Sequence, residues 1–155
     1  ILPEMWKAVT SGGGSVTFDK TAPTLSSVSI ASNNSTSTLA AVGDVVTLTF
    51  TVSEPIYTPS TSFAAEVTFL SGGVPVNVGY YQNISGNVYQ GNTWRAVYTT
   101  ASTNTTGSVT FSIAFWDPAG NAGSVVTSGS GSVTFDKTAP TVSSVSTTAD
   151  NQSLV

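Results

Sequence analysis

The chain has 155 residues, which is enough for one ordinary domain with short segments beside it. It contains no Cys and no His, which excludes disulfides, thiol nucleophiles, Cys/His zinc sites and triads with an imidazole base. Only 8% of the residues are charged, and the formal net charge is −4. A nucleic-acid partner is not expected, because the basic residues are few and scattered. They are Lys7, Lys20, Arg95 and Lys137.

Apolar residues alternate with Thr and Ser along much of the chain, and this period of two predicts β-strands. One such strand places Val46, Leu48, Phe50 and Val52 on a single face. In chain order, the predicted strands cover residues 25–31, 46–52, 65–70, 74–81, 88–89, 94–98, 109–115 and 133–135.

Turn-forming residues separate these strands, and no segment shows a sustained helical period. Seven or more short strands in about 117 residues predict an all-β fold, an immunoglobulin-like (Ig-like) antiparallel β-sandwich. Without Cys, the packed apolar layer alone must hold the two sheets together. No membrane span is expected, because Thr, Ser, Asn and Gly interrupt the charge-free stretch 96–116.

A repeat is the strongest signal in the sequence. Residues 9–29 and 126–146 are identical at 19 of 21 positions, at an offset of 117. The chain therefore divides into a terminal strand and linker that match the end of a unit (1–20), a complete sandwich unit (21–137), and the first strand of a next unit (138–155). We expect the extra terminal strands to be shared with neighbouring units.

Several short motifs in a fixed order resemble the bacterial Ig-like tandem repeats of secreted surface proteins and adhesins. They are Asp-Lys-Thr-Ala-Pro-Thr, Gly-Asp-Val-Val-Thr-Leu-Thr-Phe (43–50), Ser-Glu-Pro-Ile (53–56), Trp-Arg-Ala (94–96) and Trp-Asp-Pro-Ala-Gly-Asn (116–121), and they span 19–137. The resemblance implies an extracellular or cell-surface location, stalk or adhesive duty, and calcium at the junctions between modules.

Acidic residues supply the one constellation with coordination chemistry. Successive strands of a sandwich run in opposite directions, so the start of the first strand and two later loops should meet at one end. Asp19, Glu54, Asp117 and Asn121 would gather there, and carboxylates with backbone carbonyls and water are the ligands of Ca²⁺. This predicts a Ca²⁺ site at the unit junction, without other cofactors. The competing interpretation is that Asp117 and Asn121 are simply turn residues and Glu54 is solvated.

Exposed aromatic side chains would favour a different function, that of a carbohydrate- or surface-binding adhesin domain. Tyr80, Tyr81, Tyr89 and Trp94 could form a platform for sugar stacking. However, Trp94 shares a face with Ala96 and Tyr98, which predicts that it lies in the core. Tyr80 and Tyr81 point to opposite faces of a strand, so at most one serves a given surface.

The sequence therefore predicts a non-catalytic structural module. Its partners would be copies of itself or adjacent repeat units, joined head to tail, either within a long stalk or by strand exchange between separate subunits. An enzyme is not expected. The Ser and Thr hydroxyls have no evident base, and the pair Glu54 and Asp117 would be the only acid/base candidate.

Overall fold

The computed structural model describes residues 14, 16–56, 65–76, 80–83 and 92–148. Within these ranges the chain forms nine strands and no helix. The strands are β1 (Leu25–Ser32), β2 (Leu39–Ala40), β3 (Val45–Val52), β4 (Ala65–Ser71), β5 (Val74–Val76), β6 (Tyr80–Asn83), β7 (Thr93–Thr99), β8 (Gly107–Phe115) and β9 (Val133–Phe135).

The strands form two sheets. One sheet has the order β1-β3-β7-β6 and the other the order β2-β9-β8-β4-β5. Every pairing is antiparallel except β2 with β9, which is parallel. With β1, β3, β7 and β6 as strands A, B, E and D, and β4, β8 and β9 as C, F and G, this is the immunoglobulin arrangement. The predicted all-β, Ig-like sandwich is confirmed.

The core lies between the sheets and follows the alternation in the sequence. In β3 the side chains of Val46, Leu48, Phe50 and Val52 are at most 1% exposed, while the intervening Thr residues are half-buried. The opposing sheet contributes the inward faces of β4, β8 and β9. Trp94 is buried with them, as its place on the Ala96 face predicts.

The first strand of the unit is hydrogen-bonded to the segment that precedes the last strand, along one side of the sandwich. Before β9, Ser130 bridges to Ser29 of β1, and Ile30 N–H donates to the Ser130 carbonyl at 3.0 Å. The chain then turns at Gly131 (φ 78°) and joins the other sheet as β9. Any side chain at Gly131 would overlap the carbonyl oxygen of Ile30, so the crossover needs a glycine.

Two predicted strands differ from the structure. Residues 74–81 are not one strand, because β5 and β6 belong to different sheets. Strand β2 was not expected at all, since two residues are too short for any period to show. The strand predicted at 88–89 lies outside the described residues.

The terminal copies of the repeat lie in no strand. Residues 16–24 and 136–148 have no regular secondary structure, although the counterparts of 16–18 form β9 and those of 142–148 lie in β1. Val16 and Phe18 are 97% and 85% exposed, whereas Val133 and Phe135, which occupy the same positions of the repeat, are 1% and 0% exposed. The same residue types are thus core in one copy and solvent-facing in the other.

Candidate functional site at the N-terminal pole

One end of the sandwich, here named the N-terminal pole, holds residues 19–24, 53–56 and 117–122. It gathers these segments because β1 starts there and β3 and β8 both end there. The carboxylates of Asp19, Glu54 and Asp117 offer oxygens that all lie within 4.8 Å of one another. The structure therefore brings together the three acidic residues that the sequence placed at this end.

Asp117 is the buried member of the cluster, with 1% of its side chain exposed. Burial alone would raise its pKa, but hydrogen bonds from the side chain and backbone of Asn121 and from the backbone of Ala119 and Gly120 together hold the pKa below its usual value. Asp117 therefore remains a carboxylate inside the pole.

Asn121 connects the loop to the linker. Its Nδ2 donates to Asp117 Oδ2 at 2.7 Å and to the main-chain carbonyl of Asp19 at 3.2 Å, while its own N–H donates to Asp117 Oδ1 at 2.8 Å. In this arrangement Asn121 reaches the cluster through its amide nitrogen. It connects Asp19 and Asp117 as a hydrogen-bond donor, and its side-chain oxygen takes no part in these two contacts.

Asp19 lies in a local turn that both copies of the repeat adopt. Thr21 N–H donates to Asp19 Oδ1 at 2.9 Å, and Thr138 N–H donates to Asp136 Oδ1 at 2.8 Å. The turn forms in two different surroundings, so the Asp-Lys-Thr sequence specifies it locally. In the second copy these contacts hold the pKa of Asp136 below its usual value.

The chemistry of the pole fits a hard divalent cation. Asp19, Glu54 and Asp117 could each supply one or two oxygens, with carbonyls and water completing the six to eight ligands that Ca²⁺ takes. A cleft of about 410 Å³ beside Asp19 and Glu54, also lined by Thr17 and Pro118, leads to the cluster. The Ca²⁺ site stays a prediction. The hydrogen bonds from Asn121 to Asp117 close this loop without an ion.

Pro23 joins the linker to the unit that follows it. Its side chain is fully buried, and the neighbouring Thr24 exchanges hydrogen bonds with Ser53 (Thr24 N–H to Ser53 Oγ, 2.9 Å; Ser53 N–H to Thr24 O, 2.8 Å). Gly123 passes so close that a methyl group there would lie 2.8 Å from the Pro23 carbonyl oxygen. Pro140, the repeat counterpart of Pro23, is exposed.

At the opposite end, named the C-terminal pole, Lys137 makes a contact that sequence reasoning missed. Its Nζ donates to the carbonyl oxygens of Ser102 (3.0 Å) and Asn104 (2.9 Å), in the connection between β7 and β8. A lysine next to an aspartate in a linker suggests only a solvated charge. The signal that could have identified it is its invariance between the two copies of the repeat, Lys20 and Lys137.

The aromatic platform that would favour sugar binding loses its central member. Trp94 is 8% exposed and belongs to the core, so its ring offers no stacking face to solvent. The side chains of Tyr80 and Tyr81, and all of Tyr89, lie outside the described residues.

Comparison with protein-family models, curated proteins and solved structures yields no match. The resemblance to bacterial Ig-like repeats therefore stays an inference from the motifs. In the part of the chain that the structure describes, no helix has the length and apolar character to cross a membrane.

Proposed function

We propose that this chain is a non-catalytic structural unit of an extracellular stalk or fibre, in which like units follow one another head to tail. The observation that carries the proposal is the contrast between the two copies of the repeat. Phe135 is fully buried in the sheet and Phe18 is 85% exposed, although Val-Thr-Phe-Asp-Lys surrounds both. A segment with such an apolar face needs a sandwich to pack against, and the nine described strands already form the one in this chain.

The terminal segments match the two sides of a junction. Residues 16–18 correspond to the last strand of a preceding unit, and residues 142–146 to the first strand of a following unit. Val142 and Val145 are 80% and 83% exposed, whereas their counterparts Leu25 and Val28 pack against the core. The simplest completion is another unit at each end of the same polypeptide. The resemblance of the motifs to surface-protein repeats supports the extracellular location in this proposal.

A Ca²⁺ ion bound by Asp19, Glu54 and Asp117 is part of this proposal. Asp19 belongs to the segment that completes the preceding unit, while Glu54 and Asp117 belong to loops of this unit. An ion shared among them would connect two units and relieve the repulsion among three carboxylates. Its role would be mechanical, namely to stiffen the linker.

Strand exchange between separate chains is the second route to the same array. The exposed apolar residues of segments 16–18 and 142–146 favour it, because these segments could pair with another copy. In an intact copy, however, β1 and β9 already occupy the two positions that these segments would enter. Exchange must therefore break the hydrogen bonds between β1 and the segment before β9 and displace one of these native strands.

Light scattering at increasing concentration separates the two routes. Oligomers that disappear when residues 1–18 are removed would support strand exchange. A chain that stays monomeric at high concentration excludes exchange and leaves the covalent array.

The array itself is tested by adding units. Chains with one, two and three copies of residues 21–137 between the same terminal segments are compared by small-angle X-ray scattering. A structural stalk predicts that the maximum dimension grows by a constant increment per unit. Units that fold back on one another, giving a dimension that stops growing, would contradict the proposal.

A further inference from the structure

We propose that the linker segment Asp-Lys-Thr-Ala-Pro (19–23 and its copy 136–140) fixes the angle between consecutive units because it is held from both sides. Its Lys binds the unit before it, and its Asp carbonyl and Pro bind the unit after it. This inference rests on the proposed head-to-tail array and identifies the residues that set its geometry.

The backward half of the joint is visible at the C-terminal pole. Asp136 N–H donates to the Ala40 carbonyl at 2.9 Å, which continues the pairing of β9 with β2 by one residue. Lys137 then extends across the pole to the carbonyls of Ser102 and Asn104. Hydrogen bonds from an ammonium group are stronger than neutral ones, so this contact fixes the direction in which the chain leaves the unit.

The forward half is visible at the N-terminal pole. Asn121 donates to the carbonyl of Asp19, and Pro23 is buried beside Gly123. Asn121 is itself held by the buried carboxylate of Asp117, so its amide is oriented before any linker arrives. The contact therefore fixes the direction in which the chain enters the unit.

The backward and forward halves belong to the same joint, because the two copies of the linker are related by the offset of 117 residues. Asp19, Lys20 and Pro23 are the counterparts of Asp136, Lys137 and Pro140. In a complete joint only Thr and Ala separate the Lys held by one unit from the Pro held by the next. At about 3.3–3.6 Å of reach per residue, such a linker has almost no slack. The same Asp-to-Thr turn forms in both copies, so the linker has the same local bend whether the unit before it or the unit after it holds it.

The test uses a two-unit chain, in which residues 1–137 are followed directly by residues 21–155. The chain has no Cys, so Thr110→Cys, on the exposed face of β8, places one spin label on each unit. The distance distribution between the labels is measured by electron–electron double resonance. We expect a single narrow peak.

Two substitutions at the internal joint should abolish that narrow peak: Lys137→Met in the first unit and Asn121→Leu in the second. Each keeps the length or shape of the side chain and removes its donor. The matched controls are the same substitutions at the outer poles, namely Lys137→Met in the second unit and Asn121→Leu in the first. These controls should keep the narrow peak, because they leave the internal joint intact.

Two results would overturn the inference: a broad distribution in the parent chain, or joint variants as narrow as their outer-pole controls. Since Lys137 and Asn121 lie on different units, local unfolding caused by one substitution would leave the other informative. The array itself is judged separately, by the constant growth of the maximum dimension. A freely bending array would therefore fail this test and still extend with each added unit.

Discussion

Three aspartates are kept ionised in the folded chain by hydrogen bonds from neighbouring amide and hydroxyl groups. The side chain of Asn34 and the backbone of Ala41 lower the pKa of Asp44, and the contacts described above lower the pKa values of Asp117 and Asp136. A folded pKa below the unfolded one means that protons bind the unfolded chain more tightly. The resulting stability is complete above about pH 4, the ordinary Asp value, and is lost as the pH falls through the folded pKa.

Asp117→Asn should reduce this acid sensitivity. The variant should be less stable than the parent at pH 7, because a neutral amide accepts weaker hydrogen bonds than a carboxylate and brings a donor into the loop. The difference should shrink as the pH falls below about 4. Urea unfolding with excess chelator across this range measures it, with Glu66→Gln, on the exposed side of β4, as the charge control. An equally steep acid decline in Asp117→Asn would contradict the assignment.

Calcium should stabilise the chain through the acidic cluster. The melting temperature should be higher with calcium than with excess chelator, by an amount equivalent to about 2.7 kcal/mol when free calcium is one hundred times Kd. Glu54→Gln should reduce the difference and Glu66→Gln should preserve it. Equal melting temperatures in the parent chain with and without calcium would remove the ion from the proposal.

At the scale of elements, the repeat provides a pair of identical strands in opposite environments. Phe135→Ala should cost about 3–5 kcal/mol, because it removes a fully buried ring from β9. Phe18→Ala should change the free energy of unfolding by less than about 0.5 kcal/mol, because that ring faces solvent. Chemical denaturation of both variants checks the prediction. A similar loss in both would mean that residues 16–18 pack in the same way as β9.

The elements that sequence reasoning identified are those whose burial alternates over many residues. In β3 and β8 the inward residues are nearly all buried, so the period of two is visible in the sequence. The break between β5 and β6 was missed because the apolar alternation continues from Val76 through Val78 to Tyr80. Asn77 and Gly79, both common in turns, were the opposing signal.

The candidate site was predictable as a location and less so in its contacts. Chain direction alone places Asp19, Glu54 and Asp117 at one pole, because antiparallel strands bring alternate loops together. The role of Asn121 as a donor between two aspartates depends on the angle of its amide, which no spacing in the sequence specifies. The contact of Lys137 likewise depends on where a loop about 33 residues earlier presents its carbonyls.

At the scale of the whole molecule, one sandwich carries a linker segment at each end. All nine strands lie between the two linker segments, and each linker is held by the unit in a different way. In the proposed array, the C-terminal pole of one unit and the N-terminal pole of the next would hold the same linker segment from its two sides. Chains that contain two or more units should show every part of the repeat in its folded environment.

The central claim is that a terminal copy of the repeat packs as a strand only when another unit is joined to it. Hydrogen exchange tests this most directly, because the copies differ at Gly13/Ser130 and Leu25/Val142 and so yield peptides of different mass. In the 155-residue chain, amides of 133–135 and 25–29 should exchange slowly, while those of 16–18 and 142–146 exchange fast. In the two-unit chain, the amides of the internal copy should exchange slowly both in the last strand of the first unit and in the first strand of the second unit. Terminal segments that are as protected as their counterparts in the single chain would contradict the account.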